Sequence, residues 1–165
     1  CHCEVAGADD RYRRAGIATA ISFGGPGTSH WRNASTILNT AYYSKLNWEG
    51  NAGSIEKQNK GAWGGAVAGN LDSALAEERL AQIPGYVERF QTVFGNAYPL
   101  WDDALRAVAA YQRTIVSRNV PLDAYLEGDE NAISDEARRG LELFNGKAGC
   151  LNCHNEGEGG VGFTH

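Results

Sequence analysis

The pattern of apolar and polar residues changes character at Leu71. From there Leu71, Leu75, Ala76, Leu80 and Ile83 recur on one side at helical spacing, with Asp72, Glu77, Glu78 and Arg79 mostly opposite, until Pro84 interrupts the run. The next stretch, "PGYVERFQTVFGN", predicts a short helix closed by Gly95, a residue that enters the left-handed C-terminal position without a Cβ penalty. The strongest periodicity lies in "LWDDALRAVAAYQRTIVSRN", where Trp101, Leu105, Val108, Tyr111 or Gln112, and Ile115 return at spacings of about 3.6 residues. Ser134 reads as an N-cap, with Asp135 and Glu136 in the first turn and Ala137, Leu141 and Phe144 as the buried stripe. That helix runs directly into "NGKAGCLNCH".

Before Leu71 the chain is dense in glycine. "FGGPGTSH" and "NKGAWGGAVAGN" predict irregular backbone, either plain surface loop or loop able to approach a flat ligand closely. No two-residue alternation persists long enough for a strand and no repeat is evident, so the expected fold class is all-α with long Gly-rich loops. The 165 residues leave room for one full domain or for the joined parts of two small ones. With 42% hydrophobic and 21% charged residues the composition is that of a globular protein. Apolar runs are broken by glycine or charge well short of the ~20 residues that span a bilayer. A net charge of -5 argues against a nucleic-acid partner, which needs a basic face for phosphates.

Four cysteines sit at the two ends, Cys1 and Cys3 against Cys150 and Cys153, which points to local chemistry at each end rather than a disulfide framework. In "CLNCH", the thiols of Cys150 and Cys153 are spaced to add to the two vinyl groups of haem, and the adjacent His154 then faces the iron as axial ligand. A redox CxxC pair and half of a zinc site use the same two cysteines, but the histidine that follows at once favours c-type haem. Such attachment is made outside the cytoplasm, so a periplasmic or otherwise extracytoplasmic location is expected. The opening "CHCEVAGADD" admits two readings: a second haem motif of which Cys1 and His2 are the last two residues, or a four-thiolate zinc site built from Cys1, Cys3, Cys150 and Cys153.

Longer stretches carry a resemblance. "CHCEVAGADD" has the glycine and aspartate spacing that follows the first haem motif of the bacterial di-haem cytochrome c peroxidases, the family that includes MauG. "RNASTILN" resembles the family's "RN-(S/A)-P-T-V-L-N", "NWEGNA" its "FWDGRA", and "IEKQ" its "L-x-x-Q". "LRAVAAYQRTIVSRNVPLDAYLEGD" and "EARRGLELFNGKAGCLNCHNEGEGG" resemble later segments in the same order. The resemblance implies cytochrome c-like helical domains with two c-type haem sites. Residues 1–118 would form most of the first, peroxidatic haem domain, and 119–165 the start of the second, electron-transfer domain. The chain would then be an internal piece of a longer protein, from haem site one to just beyond haem site two, the remainder being another chain or a missing segment.

Residue roles carry over from the resemblance one at a time. Cys1 and His2 would belong to the first haem, and Cys150, Cys153 and His154 to the second, with His2 and His154 as iron ligands. Trp48 matches the tryptophan that assists electron passage between the haems; as a bare residue it reads equally as a core aromatic. Gln58 matches the glutamine of "L-x-x-Q". Asn33 matches an asparagine that helps hold calcium, and His30 falls where some members place a displaceable distal histidine. His165 has no counterpart, and a thiol such as Cys3 beside a peroxide-handling haem is liable to oxidation. The chain contains no methionine, so the second iron's sixth ligand is not assigned.

The largest departure concerns proton transfer. The family places a glutamate ten residues after its glutamine, and here that position is Ala68, with Glu56 and Asp72 as the nearby carboxylates. The leading expectation is a di-haem oxidoreductase reducing hydrogen peroxide with electrons from a small redox protein, a cytochrome or cupredoxin. MauG-like oxidation of a partner protein, a non-catalytic electron-transfer cytochrome and, more distantly, a zinc-stabilised domain are the alternatives. Acidified organic solvent is expected to leave haem attached to the denatured protein, and a pyridine haemochrome assay on the full-length protein to return two haems per chain. Haem that extracts would refute the thioether reading of "CLNCH"; a single haem would refute the reading of "CHCEVAGADD".

Overall fold

A computed structural model describes residues 2–3, 9–10, 12–14, 17–19, 21–23, 29–152 and 154. Among the described residues six short strands come first: β1 (His2–Cys3), β2 (Asp9–Asp10), β3 (Tyr12–Arg14), β4 (Ile17–Thr19), β5 (Ile21–Phe23) and β6 (Ser29–Asn33). They pair antiparallel, β1 with β2, β3 with β4 and β5 with β6. After a 3-10 turn at Thr40–Tyr42 the chain is helical: α1 (Ile55–Gly64), α2 (Ser73–Ala81), α3 (Pro84–Phe94), α4 (Trp101–Gln112), α5 (Pro121–Leu126) and α6 (Asp135–Asn145), then a 3-10 turn at Cys150–Asn152. The fold class is all-α, as the periodicity predicts. The ladders were not foreseen because strands of two to five residues are too short to leave a readable alternation.

Helix α4 is the spine. Its first half buries Trp101, Ala104 and Leu105, and its second half Ala109 and Gln112. Trp101 and Leu105 pack with Ala76 of α2, with Trp63 and Leu71 against them, and the Trp63 and Trp101 rings meet edge to face at 5.5 Å. Ala109, 0% exposed, packs with Leu46, Ala52 and Ile55. A methyl side chain at this point permits close approach of α1 to α4, and the buried Asn59 amide of α1 donates to Gln112 Oε1 at 2.9 Å. The predicted stripe holds at Trp101 and Leu105 and, of the two alternatives, at Gln112; Val108 is half-buried. Tyr111 is exposed and Ile115 lies beyond the helix, because the small residue, rather than the larger ones, faces α1.

Three N-caps fix helix starts: Ser54 accepts the Lys57 N–H at 3.1 Å, Asp72 accepts the Leu75 N–H at 3.0 Å and Ser134 accepts the Ala137 N–H at 3.2 Å. Pro84 opens α3 and Gly95, at φ 76°, closes it, both as expected. The start of α4 is held from outside: Glu77 Oε1 accepts the Trp101 N–H at 2.7 Å.

One stretch corrects the sequence reading. "NKGAWGG" is mostly helix, since Ser54 caps α1 and Ile55 and Asn59 bury into the core, outweighing the glycines. Only 65–70 is irregular, and it wraps back on the helix end, Gly69 N–H reaching Ala62 O at 3.0 Å and Leu71 N–H reaching Trp63 O at 2.9 Å. A Cβ at Gly69 would sit 2.3 Å from Trp63 O, so glycine is required there by close backbone approach. Helix α6 also differs from expectation. Ala137 is exposed and Leu141 and Phe144 are half-buried, the main packing of α6 among the described residues being on the Cys150–Asn152 turn. No helix among the described residues is long and apolar enough to cross a membrane.

Replacing Asn59 with alanine leaves Gln112 Oε1 buried without its donor, which costs about 1–3 kcal/mol. Chemical denaturation of Asn59→Ala is expected to register that loss. The double variant Asn59→Leu/Gln112→Leu should lose less, since no polar group is then stranded.

Candidate functional site

Trp48 stands at the tip of a tight turn whose root is in the core. Leu46 and Ala52 exchange backbone hydrogen bonds at 2.8 and 3.4 Å, and both side chains are buried beside Ile55 and Ala109. Between them the chain reverses, with Asn47 and Gly50 both at φ 66° and Gly50 N–H donating to Asn47 O at 3.1 Å. Asn47 Nδ2 donates to Asn51 Oδ1 at 2.8 Å, Asn51 Nδ2 to Glu49 Oε2 at 3.3 Å, and Arg32 pairs with Glu49 Oε1. Trp48 is 66% exposed at the tip. A core role for it, one of the sequence alternatives, does not hold.

Residue 68, where the resemblance would place the family glutamate, lies in the turn after α1. Ala68 is half-buried there, its N–H donating to Gly65 O at 2.9 Å. Gln58, one helical turn beyond the Ser54 cap, is also half-buried. Both neighbouring carboxylates are committed elsewhere. Asp72 caps α2. Glu56 receives both terminal nitrogens of Arg113, at 2.8 and 3.0 Å, across the outer edge of the α1–α4 contact. That hydrogen bond, outweighing partial desolvation, holds the Glu56 carboxyl below its ordinary range and raises Arg113. A carboxylate held ionised in this way is a poor proton donor near neutral pH.

At the other end, Cys150 and His154 belong to one turn: His154 N–H donates to Cys150 O at 2.8 Å, and Gly149 at φ 71° makes the reversal before it. The Cys150 thiol is free and half-buried, His154 is exposed, and the rings of Phe144 and His154 lie 6.2 Å apart. Leu143 and Leu151, both substantially exposed, supply apolar surface beside the turn. A free thiol and an imidazole on one turn, with apolar surface around them, fit the covalent, axially ligated attachment of haem c.

The remaining candidates are placed by backbone alone or not at all. His2 and Cys3 form β1, with His2 opposite Asp10, and His30 and Asn33 lie in β6. Cys1, Cys153 and His165 lie outside the described residues. What the structure joins is the Trp48 turn and the start of α1 on one core cluster, and Cys150 with His154 on one turn. Sequence reasoning missed the Asn39 clamp: Asn39, at φ 59°, takes the Ser117 N–H at 2.8 Å and donates its own N–H to Ile115 O at 2.9 Å. Asparagine in "LNT" was the available signal, since Asn tolerates the left-handed region. The Arg32–Glu49 and Glu56–Arg113 pairs left no local signal, being tertiary.

The family model for di-haem cytochrome c peroxidase matches residues 1–131. The chain is 56% identical over 137 residues to the cytochrome-c peroxidase IdrP1 of Pseudomonas sp. (strain SCT), covering 82% of this chain and 36% of that protein. It is 36% identical over 156 residues to the methylamine utilization protein MauG of Methylorubrum extorquens, covering 94% of this chain and 42% of MauG. A crystal structure of a MauG-like protein associated with microbial copper homeostasis superimposes with a TM-score of 0.71 at 26% identity, over 82% of this chain and 41% of that one. The chain thus spans well under half the length of the curated relatives it matches.

The Glu56–Arg113 pair sets a pH dependence. Because the folded carboxyl titrates below its ordinary value of 4.5, its contribution is fully present above that value and is lost as pH falls through the lowered one. The stability difference between the unmodified protein and Glu56→Gln, measured by denaturant titration, is expected to be constant from neutral pH down to the carboxylate range and to vanish in acid.

Proposed function

Given that the chain belongs to the di-haem cytochrome c peroxidase family, we propose that its protein reduces hydrogen peroxide with electrons from a small redox protein, a cytochrome or cupredoxin, outside the cytoplasm. The observation that carries this reading is the family match over 1–131 followed, beyond it, by the Cys150–His154 turn. Residues 1–118 are assigned to the peroxidatic domain and 119–165 to the electron-accepting one. Cys1 and His2 would hold one haem; Cys150, Cys153 and His154 the other. Haem c supplies, when bound, an iron centre that exchanges single electrons and reacts with peroxide.

The chain's own residues do the rest. His2 and His154 would ligate the iron, the cysteines would tether the haem, and Trp48, on a turn rooted in the core, would supply the aromatic side chain on the path between the two sites. Asn33 is assigned to calcium, whose preference is for such amide oxygens, and His30 to a displaceable distal position. Gln58 is assigned to the peroxide site, on the helix that leads into the Ala68 turn.

A second reading, electron transfer without peroxide turnover, is favoured by one specific feature: Ala68 stands at the acid-base position, and Glu56 and Asp72 are engaged by Arg113 and by the α2 N-terminus. MauG-like oxidation of a partner protein is the third, supported by the 36% identity to MauG.

General acid-base assistance contributes about 10²- to 10⁴-fold, so peroxide turnover is expected to be weak and to rise in Ala68→Glu, with transfer between the haems unchanged. The measurement is peroxide-driven oxidation of a reduced small cytochrome by the holoprotein. A rate in the unmodified protein that Ala68→Glu cannot improve would place the proton on another group.

A further inference from the structure

We propose that Arg32, Glu49 and Asn51 form a polar brace that fixes Trp48, making them positioning residues for electron passage between the two haem sites. The proposal rests on the reading of Trp48 as the residue on that path. An indole 66% exposed at the tip of a turn adds little to a core, so its presence at that place asks for another use. The turn beneath it is held more tightly than chain reversal requires. Its two left-handed residues, Asn47 and Gly50, are joined by a backbone hydrogen bond, and its root at Leu46 and Ala52 is locked into the core.

The brace completes that rigidity on the open side. Glu49 follows Trp48 directly, and its two carboxylate oxygens are taken from two directions, Oε1 by Arg32 and Oε2 by Asn51 Nδ2. Asn51 is itself fixed through Oδ1 by Asn47. A carboxylate held at both oxygens cannot rotate freely, so the backbone at Glu49, and the Cα of Trp48 next to it, is held as well. Arg32 brings in the third element, for it lies in β6 beside Asn33, and its bond joins that strand to the Trp48 turn across 17 residues of sequence. The side chains of Arg32 and Glu49 are 43% and 51% exposed. Ion pairs so exposed contribute little to global stability, so overall stability does not account for this one, whereas a fixed geometry next to an exposed indole does.

The test uses the holoprotein with Arg32→Glu, Glu49→Arg, their charge-swapped double variant, and Trp48→Phe. Two quantities are read: amide hydrogen exchange at Gly50, and the rate at which an electron placed on the second haem reaches the first, with both midpoint potentials measured as controls. Each single reversal is expected to speed Gly50 exchange and slow the interhaem rate by about tenfold at unchanged potentials, as misplacement of a positioned group does. The swap is expected to restore both. Singles that match the unmodified protein in exchange and rate, or a swap that restores neither, would overturn the brace. A Trp48→Phe rate equal to that of the unmodified protein, alongside altered Gly50 exchange in the singles, would instead overturn the Trp48 reading beneath it.

Discussion

The close approach of α1 to α4 at Ala109 is the constraint on which the other parts of the molecule depend. A methyl group with no exposed surface lets the two helices meet, and the Asn59–Gln112 hydrogen bond crosses the gap where a larger side chain would have held them apart. The bidentate Glu56–Arg113 pair closes the same seam at its rim. Burial of two amides is tolerated only because each serves the other, so the pair also fixes the register of α1 along α4. From that register follow the position of the Trp48 turn, which shares the Ala109 cluster, and the place at which α1 ends.

Much of this could be read from the chain where the signal is local. "CLNCH" carries the haem c expectation in five residues, and the structure places Cys150 and His154 on a single turn. Ser134, Pro84 and Gly95 mark helix ends because capping and left-handed closure depend on the residues at those positions. Trp48, Gln58 and Ala68 became candidates only through the family resemblance; nothing in their spacing singles them out.

What stayed hidden was decided by partners far away in sequence. Glycine in "NKGAWGG" suggested loop, yet α1 forms because Ser54 caps it and Ile55 and Asn59 find α4. In α4 the period of about 3.6 found Trp101, Leu105 and the Gln112 alternative, all buried, but passed over Ala104 and Ala109, small residues on which close packing also turns. A pattern that ranks positions by hydrophobic size overlooks a helix contact that needs alanine. In α6 the stripe was read correctly as apolar but lies only half-covered among the described residues, since what a stripe faces is not written in the stripe.

The Trp48 turn and the Ala68 turn hang from different parts of α4. The Trp48 turn is rooted in the cluster of Leu46, Ala52, Ile55 and Ala109, at the helix's second half. The turn that carries Ala68 returns through Leu71 to Trp63, and both of those residues pack on Trp101 and Leu105 at its first half. The two clusters share α1 but no packed residue, and substitutions at contacts without common neighbours respond nearly independently. A substitution in the Ala68 turn is therefore expected to leave the packing at the root of the Trp48 turn in place. On the roles proposed above, the packing lets the acid-base position hold alanine without altering the support of Trp48.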